Sequence, residues 1–225
     1  MRNPGRRHVF RHGSMGDYML NGGISRRALL SAAAALPLAG QAETPGMIIR
    51  QKEPENLEFP FDSLNSFLTP NDRFYIRSHH PVPKLSAETW KLRVEGTLNK
   101  PLDLSYSELR AMPSIKVPAT LECAGNSRVF LAPQVPGAQW ELGAVSTAEW
   151  TGVPLSAVLD RAGLTSNALE VVLEGADQGE GKNDPHPAGA IHFARSIPIE
   201  KARRPEVVLA FQMNGKDLPP SHGYP

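Results

Sequence analysis

The single cysteine of the chain lies in a segment whose residue types suit metal ligation. Residues 121–128 read Leu-Glu-Cys-Ala-Gly-Asn-Ser-Arg, so Cys123 follows an extended stretch and precedes small, turn-forming residues. A thiolate is a soft metal ligand, and a nearby arginine such as Arg128 would lower the pKa of the thiol. Gly125 would let a bulky ligand approach the backbone. On these residues alone, a buried and inert thiol remains the alternative.

Two arginines stand in segments that could form an anion pocket. Arg77 ends the short apolar stretch 74–77, and Arg128 closes the segment around Cys123. Guanidinium groups bind small oxyanions through forked hydrogen bonds that lysine cannot reproduce. This chemistry is open to each arginine, and an ordinary surface charge is the alternative for each. Asp177, followed by Gly179, could contact a ligand or simply occupy a turn.

The histidines do not predict a zinc site. His79 and His80 are adjacent, and neighbouring residues of an extended segment point to opposite faces, so the two cannot easily bind one metal. No Cys-x-x-Cys pair is present for structural zinc or a c-type haem. His186 and His192 are expected to be solvated in the loop 184–193.

Periodicity and capping signals predict short strands and short helices, and therefore an α+β fold. Glycine and proline are plentiful, which favours tight turns over long helices. Ser105 and Glu108 form a capping-box pattern that predicts a helix to residue 112, and Pro154 predicts the start of a second helix. The tryptophans at 90, 140 and 150 are expected in the core or in a pocket wall. Strands are predicted at residues 74–77, 90–95, 115–122, 168–174 and 207–213, the last two as buried strands.

The N-terminal region has the pattern of an export signal. Several arginines precede Arg26 and Arg27, which are followed by an apolar stretch from about residue 28 to 39 that is too short to span a membrane. The paired arginines resemble a twin-arginine signal, with an ordinary secretory signal as the alternative. Residues 1–42 are therefore expected to direct the protein to the periplasm, and residues 43–70 to form an extended arm or linker. A net charge of +1 gives no reason to expect nucleic acid or an anionic membrane as partner.

Several segments together resemble the molybdopterin-binding domain of the sulfite oxidase family. They are residues 74–79, 122–128, 140–150, 175–177 and 213–225. The resemblance implies a sheet-rich fold over residues 71–225 and a molybdenum cofactor ligated by Cys123. It places Arg77 and Arg128 in the substrate pocket as catalytic residues. It assigns cofactor binding to Tyr75, Ile76, Arg77, Ser78, His79, Asp177 and His222.

The function that the resemblance implies is oxidation of sulfite to sulfate. Because the chain has no haem motif, electrons would pass to a separate carrier such as a c-type cytochrome. The alternatives are a molybdopterin-dependent reductase of sulfoxides or other oxyanions, and a metal-free partner-binding scaffold. The family pattern continues beyond residue 225 into a dimerisation domain. We therefore expect residues 71–225 to be an incomplete domain of a protein that is a homodimer at full length.

Overall fold

The computed structural model describes residues 46–181 and 189–224. The predicted export signal and His186 lie outside these residues. Three short α-helices are present in the described part: α1 (Tyr106–Arg110), α2 (Leu155–Ala162) and α3 (Ile199–Ala202). The strands are β1 (Ile48–Gln51), β2 (Asn56–Glu58), β3 (Ile76–Arg77), β4 (Lys91–Val94), β5 (Leu102–Ser105), β6 (Ile115–Glu122), β7 (Val145–Pro154), β8 (Glu170–Glu180), β9 (Ala190–Pro198), β10 (Val208–Met213) and β11 (Lys216–Asp217).

The main sheet has four antiparallel strands in the order β11-β10-β7-β6. β6 and β7 pair along the full length of β6, from Ile115 opposite Gly152 to Glu122 opposite Val145. Trp140, Ala144, Ala148 and Met213, each 0% exposed, form the centre of the core cluster against this sheet. Because β6 ends at Glu122, Cys123 leaves the sheet beside this core.

A second sheet of three antiparallel strands has the order β1-β2-β3. It joins the region expected as an extended arm to β3, where Asn56 lies opposite Arg77 and Leu57 opposite Ile76. All three residues of β2 are buried. Sequence patterning does not predict β1 or β2, because the surrounding stretch is polar and rich in proline.

The two predicted helices and their signals are confirmed. Ser105 caps α1 by accepting a hydrogen bond from the Glu108 amide, and the Glu108 side chain accepts one from the Ser105 amide. α2 ends at Gly163, whose φ of +68° is a left-handed conformation that glycine adopts without strain. β4, β5 and α1 close a second apolar cluster with Val153 and Phe211.

β8 and β9 form a separate two-stranded antiparallel hairpin. The strand expected at residues 168–174 is present but longer, and the expectation that it is buried is wrong. Leu169 and Val172 are 83% and 61% exposed. The reason is that, among the described strands, β8 pairs with β9 alone, so its apolar side chains have little to cover them.

The sheet-rich α+β fold with short helices is therefore confirmed. Strands β4, β6 and β10 fall within one or two residues of their predicted bounds. No helix in the described part of the chain is long and apolar enough to cross a membrane.

Candidate active site

Cys123 is held by backbone hydrogen bonds at the point where β6 ends. Its amide donates to the Ala144 carbonyl at 2.9 Å, and its own carbonyl accepts from the Asn126 amide at 2.8 Å. The Gly125 amide points at the Cys123 Sγ, 3.4 Å away. The thiol is half-buried. It is therefore fixed in direction and still accessible to a ligand.

Asn126 fastens this turn to the neighbouring segment, a role that sequence reasoning missed. Its Oδ1 accepts from the Ala144 amide at 3.1 Å, and its Nδ2 donates to the Glu122 carboxylate at 3.0 Å. A polar residue two or three positions after a candidate ligand is a weak signal, because asparagine is common in any turn. The Asn126 side chain therefore ties the turn to Glu122 and to Ala144.

Arg128 packs back onto the same turn. Ser127 adopts a left-handed φ of +67°, and the short 3-10 turn Arg128–Phe130 follows it. The Arg128 Nη1 donates to the Ala138 carbonyl at 3.2 Å. A Cβ added at Gly125 would lie 2.7 Å from the Arg128 Nη2, and one at Gly137 would lie 2.1 Å from Nη1. The guanidinium thus lies against two glycines, one of which also contacts the Cys123 sulfur.

Tyr75 and Arg77 approach Cys123 from the second sheet. The buried Tyr75 amide donates to Ser146 Oγ at 3.2 Å, which fixes the backbone before β3. Burial, followed by the nearby Cys123 and Glu122, raises the pKa of the Tyr75 hydroxyl to about 12, although Arg77 opposes the shift. Cys123, Glu122 and Arg77 therefore all lie near the Tyr75 hydroxyl. Tyr75 is therefore a neutral hydrogen-bond donor at physiological pH.

Asn56 orients Arg77, and sequence reasoning also missed this residue. Asn56 is 1% exposed, and its Oδ1 accepts from Arg77 Nη1 at 3.3 Å and from the Ser78 amide at 3.2 Å. Arg77 Nη1 also donates to the Ser78 carbonyl. The predicted substrate arginine is consequently held by a buried amide on β2.

Glu58, two residues further along β2, supports the segment on the far side of Cys123. Its carboxylate accepts from the Gly143 amide at 2.7 Å and from the Glu141 amide at 3.1 Å, and forms an ion pair with Arg50. Charged residues are mostly exposed, so an acidic residue in a polar stretch gives no sequence signal for burial. Glu58 is nevertheless 1% exposed.

His79 and Asp177 lie near each other at the β8–β9 hairpin. The His79 ring lies 4.6 Å from that of Phe193, and Arg195 lies 4.4 Å from the same Phe193 ring. Partial burial lowers the pKa of His79, as do Arg77, Arg195 and His80, whereas Asp177 opposes the shift. His79 is therefore neutral near pH 7, with one ring nitrogen donating and the other accepting.

His222 contacts Tyr75 from the opposite side. Its Nε2 donates to the Tyr75 carbonyl at 3.2 Å, and its ring meets the edge of Phe74 at 5.1 Å. Burial lowers the pKa of His222, and the hydrogen bond to Tyr75 opposes the shift. His222 and Ile76 line a cavity of 380 Å³ whose wall also includes Leu57.

Apart from Ser78, the residues that the sequence predicts for the site fall into three groups. Tyr75, Arg77 and Cys123 lie close enough to share an electrostatic environment, and Arg128 adjoins them through Gly125. The second group, His79 and Asp177, lies at the hairpin. Ile76 and His222 line the cavity. Ser78 is buried beside Asn56. His192, expected in a loop, lies near the start of β9, and its exposed ring bonds to the Gly175 carbonyl.

The donor set around Cys123 fits a molybdenum cofactor. No group of three or more His, Cys, Asp or Glu side chains able to hold a metal ion occurs within residues 46–181 and 189–224. Cys123 could supply one ligand to a soft metal, and an organic dithiolene could supply others. A half-buried thiol with arginines and a neutral phenol nearby suits a soft metal next to an anionic, hydrogen-bonding group.

Comparison with known proteins agrees with this geometry. A family model described as "Oxidoreductase molybdopterin binding domain" matches residues 79–225. Sulfite oxidase from Gallus gallus is 39% identical over 199 residues, covering 84% of this chain and 42% of the relative. Mitochondrial sulfite oxidase from Rattus norvegicus is 40% identical over 189 residues, covering 80% of this chain and 33% of the relative.

Two further relatives extend the range of named activities. "Nitrate reductase [NADH]" from Cichorium intybus is 37% identical over 192 residues, covering 80% of this chain and 20% of the relative. The crystal structure of the sulfane dehydrogenase SoxCD from Paracoccus pantotrophus matches with a TM-score of 0.64 and 26% identity, covering 90% of this chain and 54% of that chain. The chain thus spans about half or less of the length of these relatives. It belongs to the oxidoreductase molybdopterin-binding domain family.

Proposed function

We propose that this chain is the cofactor-binding part of an enzyme that oxidises sulfite to sulfate. The observation that carries the proposal is the half-buried Cys123 thiol, a soft ligand, with Tyr75 and Arg77 near enough to interact electrostatically. The two relatives named sulfite oxidase, at 39% and 40% identity, support the choice of substrate. The net reaction converts sulfite and water to sulfate, two protons and two electrons.

The side chains of this chain would bind and orient the anion. Arg77 and Arg128 would balance the two negative charges of sulfite through charge-assisted hydrogen bonds. Their orientations are set by Asn56 and by the Ala138 carbonyl. The Tyr75 hydroxyl, neutral at physiological pH, would be a hydrogen-bond donor to the cofactor beside this anion site. Substrate binding would therefore depend on pre-set donors rather than on charge alone.

The cofactor would supply the two-electron oxidation and the transfer of an oxygen atom. Cys123 would be the protein's ligand to the metal. Residues 75–79, Asp177 and His222 would hold the pterin, with Tyr75 and His79 among the polar groups that face it. Neutral His79 offers both a donor and an acceptor, which suits a pterin ring.

The electrons would pass to a separate c-type cytochrome in the periplasm. The support for this partner is the predicted export signal in residues 1–42. We propose that the full-length protein is a homodimer, as the sequence resemblance implies.

Reduction of an oxyanion such as nitrate is the second candidate, because relatives named nitrate reductase match at 37% identity. Purified protein loaded with cofactor would be assayed for sulfite oxidation with cytochrome c, and for reduction of nitrate and of methionine sulfoxide with a chemical reductant. We expect turnover in the first assay. Turnover only with nitrate or a sulfoxide would overturn the choice of sulfite, and protein without molybdenum from a competent host would favour a non-catalytic scaffold.

A further inference from the structure

The buried carboxylate of Glu58 stands apart from the residues that the proposed function uses. It lies on β2 and is 1% exposed. A carboxylate so buried is costly unless each oxygen has partners. Glu58 has them: one oxygen accepts from the Gly143 amide at 2.7 Å, and the other accepts from the Glu141 amide at 3.1 Å and pairs with Arg50. Two of its three partners are therefore backbone amides of one short segment.

That segment, residues 140–144, carries the Cys123 turn on its other side. The Cys123 amide donates to the Ala144 carbonyl at 2.9 Å, and the Ser127 amide donates to the Glu141 carbonyl at 2.6 Å. The segment is thus bonded to Glu58 on one side and to the thiol turn on the other. A displacement of residues 141–143 would be passed directly to Cys123.

The residue after β2, Phe59, also lies directly against this segment. The Phe59 amide donates to the Gly143 carbonyl at 3.2 Å. A Cβ at Gly143 would lie 1.7 Å from the Phe59 carbonyl oxygen, so the two backbones touch. Backbone contact and the Glu58 carboxylate therefore fix the segment together.

We propose that Glu58 is a positioning residue that holds the Cys123 thiol in the direction required for metal ligation. The proposal deepens the proposed function and rests on it in one respect, the assignment of Cys123 as the ligand. Glu58 acts through residues 141–144 and touches no reacting atom. Asn56 plays the corresponding part for Arg77, so one strand orders both halves of the site.

The test uses the fact that Cys123 is the only cysteine in the chain. The full 225-residue chain is purified from a host that does not make the molybdenum cofactor, and its alkylation by iodoacetamide is followed against pH. The high-pH plateau of the rate reports accessibility of the thiolate and is independent of the thiol pKa. Glu58→Gln places an amide group, which has one acceptor oxygen only, against three donors. We expect the plateau rate to rise about threefold or more because the turn opens locally.

Glu141→Gln is the matched control. It removes the other carboxylate that pairs with Arg50, at 3.0 Å, but leaves both backbone amides bonded to Glu58. We expect its plateau rate to stay within about 1.5-fold of wild type. An unchanged rate in Glu58→Gln, with native circular dichroism, would overturn the proposal. An equal rise in both variants would also overturn it, since loss of charge would then explain the effect.

Should Glu58→Gln fail to fold, hydrogen exchange in the wild-type chain decides the matter. The proposal requires the Glu141 and Gly143 amides to be strongly protected, and exchange of both at nearly unprotected rates would refute it. Failure of the proposed function is separable, because both measurements use cofactor-free protein. A chain that never oxidises sulfite would still show whether Glu58 controls the thiol.

Discussion

Two regions of the molecule contribute predicted site residues, and they are built differently. The thiol region consists of β2, β3, β6 and the loop 123–144, and the hairpin region consists of β8 and β9 with the adjoining His79 and His80. In the thiol region, backbone hydrogen bonds and buried polar groups hold Arg77 and the turn that carries Cys123. In the hairpin region, the strands are largely exposed, and Asp177 lies within an irregularity of register between Glu174 and Gln178.

This contrast indicates which parts of the site must be rigid before a ligand binds. A metal–sulfur bond and an anion pocket depend on fixed directions, which buried hydrogen bonds supply. An extended organic cofactor can be bound by side chains that become ordered only on binding, because each of its many polar groups can hydrogen-bond to a nearby side chain. We therefore expect substitutions in the thiol region to have larger effects than matched substitutions in the hairpin region.

The largest expected effect is that of Cys123→Ser. A serine hydroxyl is a hard and weakly acidic ligand, so sulfite oxidation should be lost, and molybdenum content should fall only in part because the dithiolene still binds the metal. The thiol is half-buried and the change is nearly isosteric, so the unfolding midpoint should hardly move. Molybdenum is measured by elemental analysis. The control is Thr120→Ser on β6, which keeps the hydroxyl that contacts Thr147 and should keep wild-type activity; wild-type sulfite oxidation by Cys123→Ser would contradict the assignment.

The second-largest expected effect is a difference in stability between core and hairpin substitutions. Phe74 is 2% exposed and packs edge-on against Trp150, so Phe74→Ala should lower the free energy of unfolding by about 3–5 kcal/mol. Val172 in the hairpin is 61% exposed, and Val172→Ala should change it by less than about 0.5 kcal/mol. Urea unfolding followed by circular dichroism gives both values. Similar losses in the two variants would remove the contrast between core and hairpin.

Local signals predicted some elements because their causes are local. The capping box of Ser105 and Glu108 lies within one turn of chain and specifies α1 by itself. β6 and the turn at Cys123 likewise follow from neighbouring residue types. The fold class was available from these signals and from the resemblance to a family, whereas the roles of the site residues, which only the resemblance implies, stay predictions.

Other features depend on partners far away in sequence and could not be predicted. Glu58 is bonded to Gly143, 85 residues later, and Asn56 to Arg77 across two strands that polar, proline-rich sequence conceals. The apolar run in β8 suggests burial, but burial requires a covering layer that one strand cannot encode. Contacts between residues far apart in sequence were therefore what sequence patterns could not predict.

The next prediction compares one arginine from each region, Arg128 and Arg195, by its effect on substrate binding. Arg128 lies against Gly125 and Gly137 and donates to Ala138, a geometry that lysine cannot reproduce. Arg128→Lys should raise the KM for sulfite about tenfold and lower kcat by less than about threefold. Arg195→Lys in the hairpin region is the control, and its KM should stay within about twofold of wild type. The reverse order of effects would place the anion pocket at the hairpin.

The smallest effect expected is a pH dependence of stability through His222. Burial lowers the pKa of His222 below its ordinary value of 6.5, and donation to the Tyr75 carbonyl only partly opposes this. The unfolded chain therefore takes up a proton as the pH falls through about 6.5, before the folded chain does. The stabilising contribution of the neutral ring is full above that pH and is lost as the pH falls towards the folded pKa.

His222→Gln should flatten this decline, because glutamine can still donate to the Tyr75 carbonyl but does not titrate. Urea midpoints measured between about pH 7 and pH 5 give the slope. His79 also has a lowered pKa but lies at the exposed hairpin, so His79→Gln should flatten the profile less. A larger change in His79→Gln than in His222→Gln would mean that the hairpin region, rather than the buried contact beneath Tyr75, carries the proton linkage.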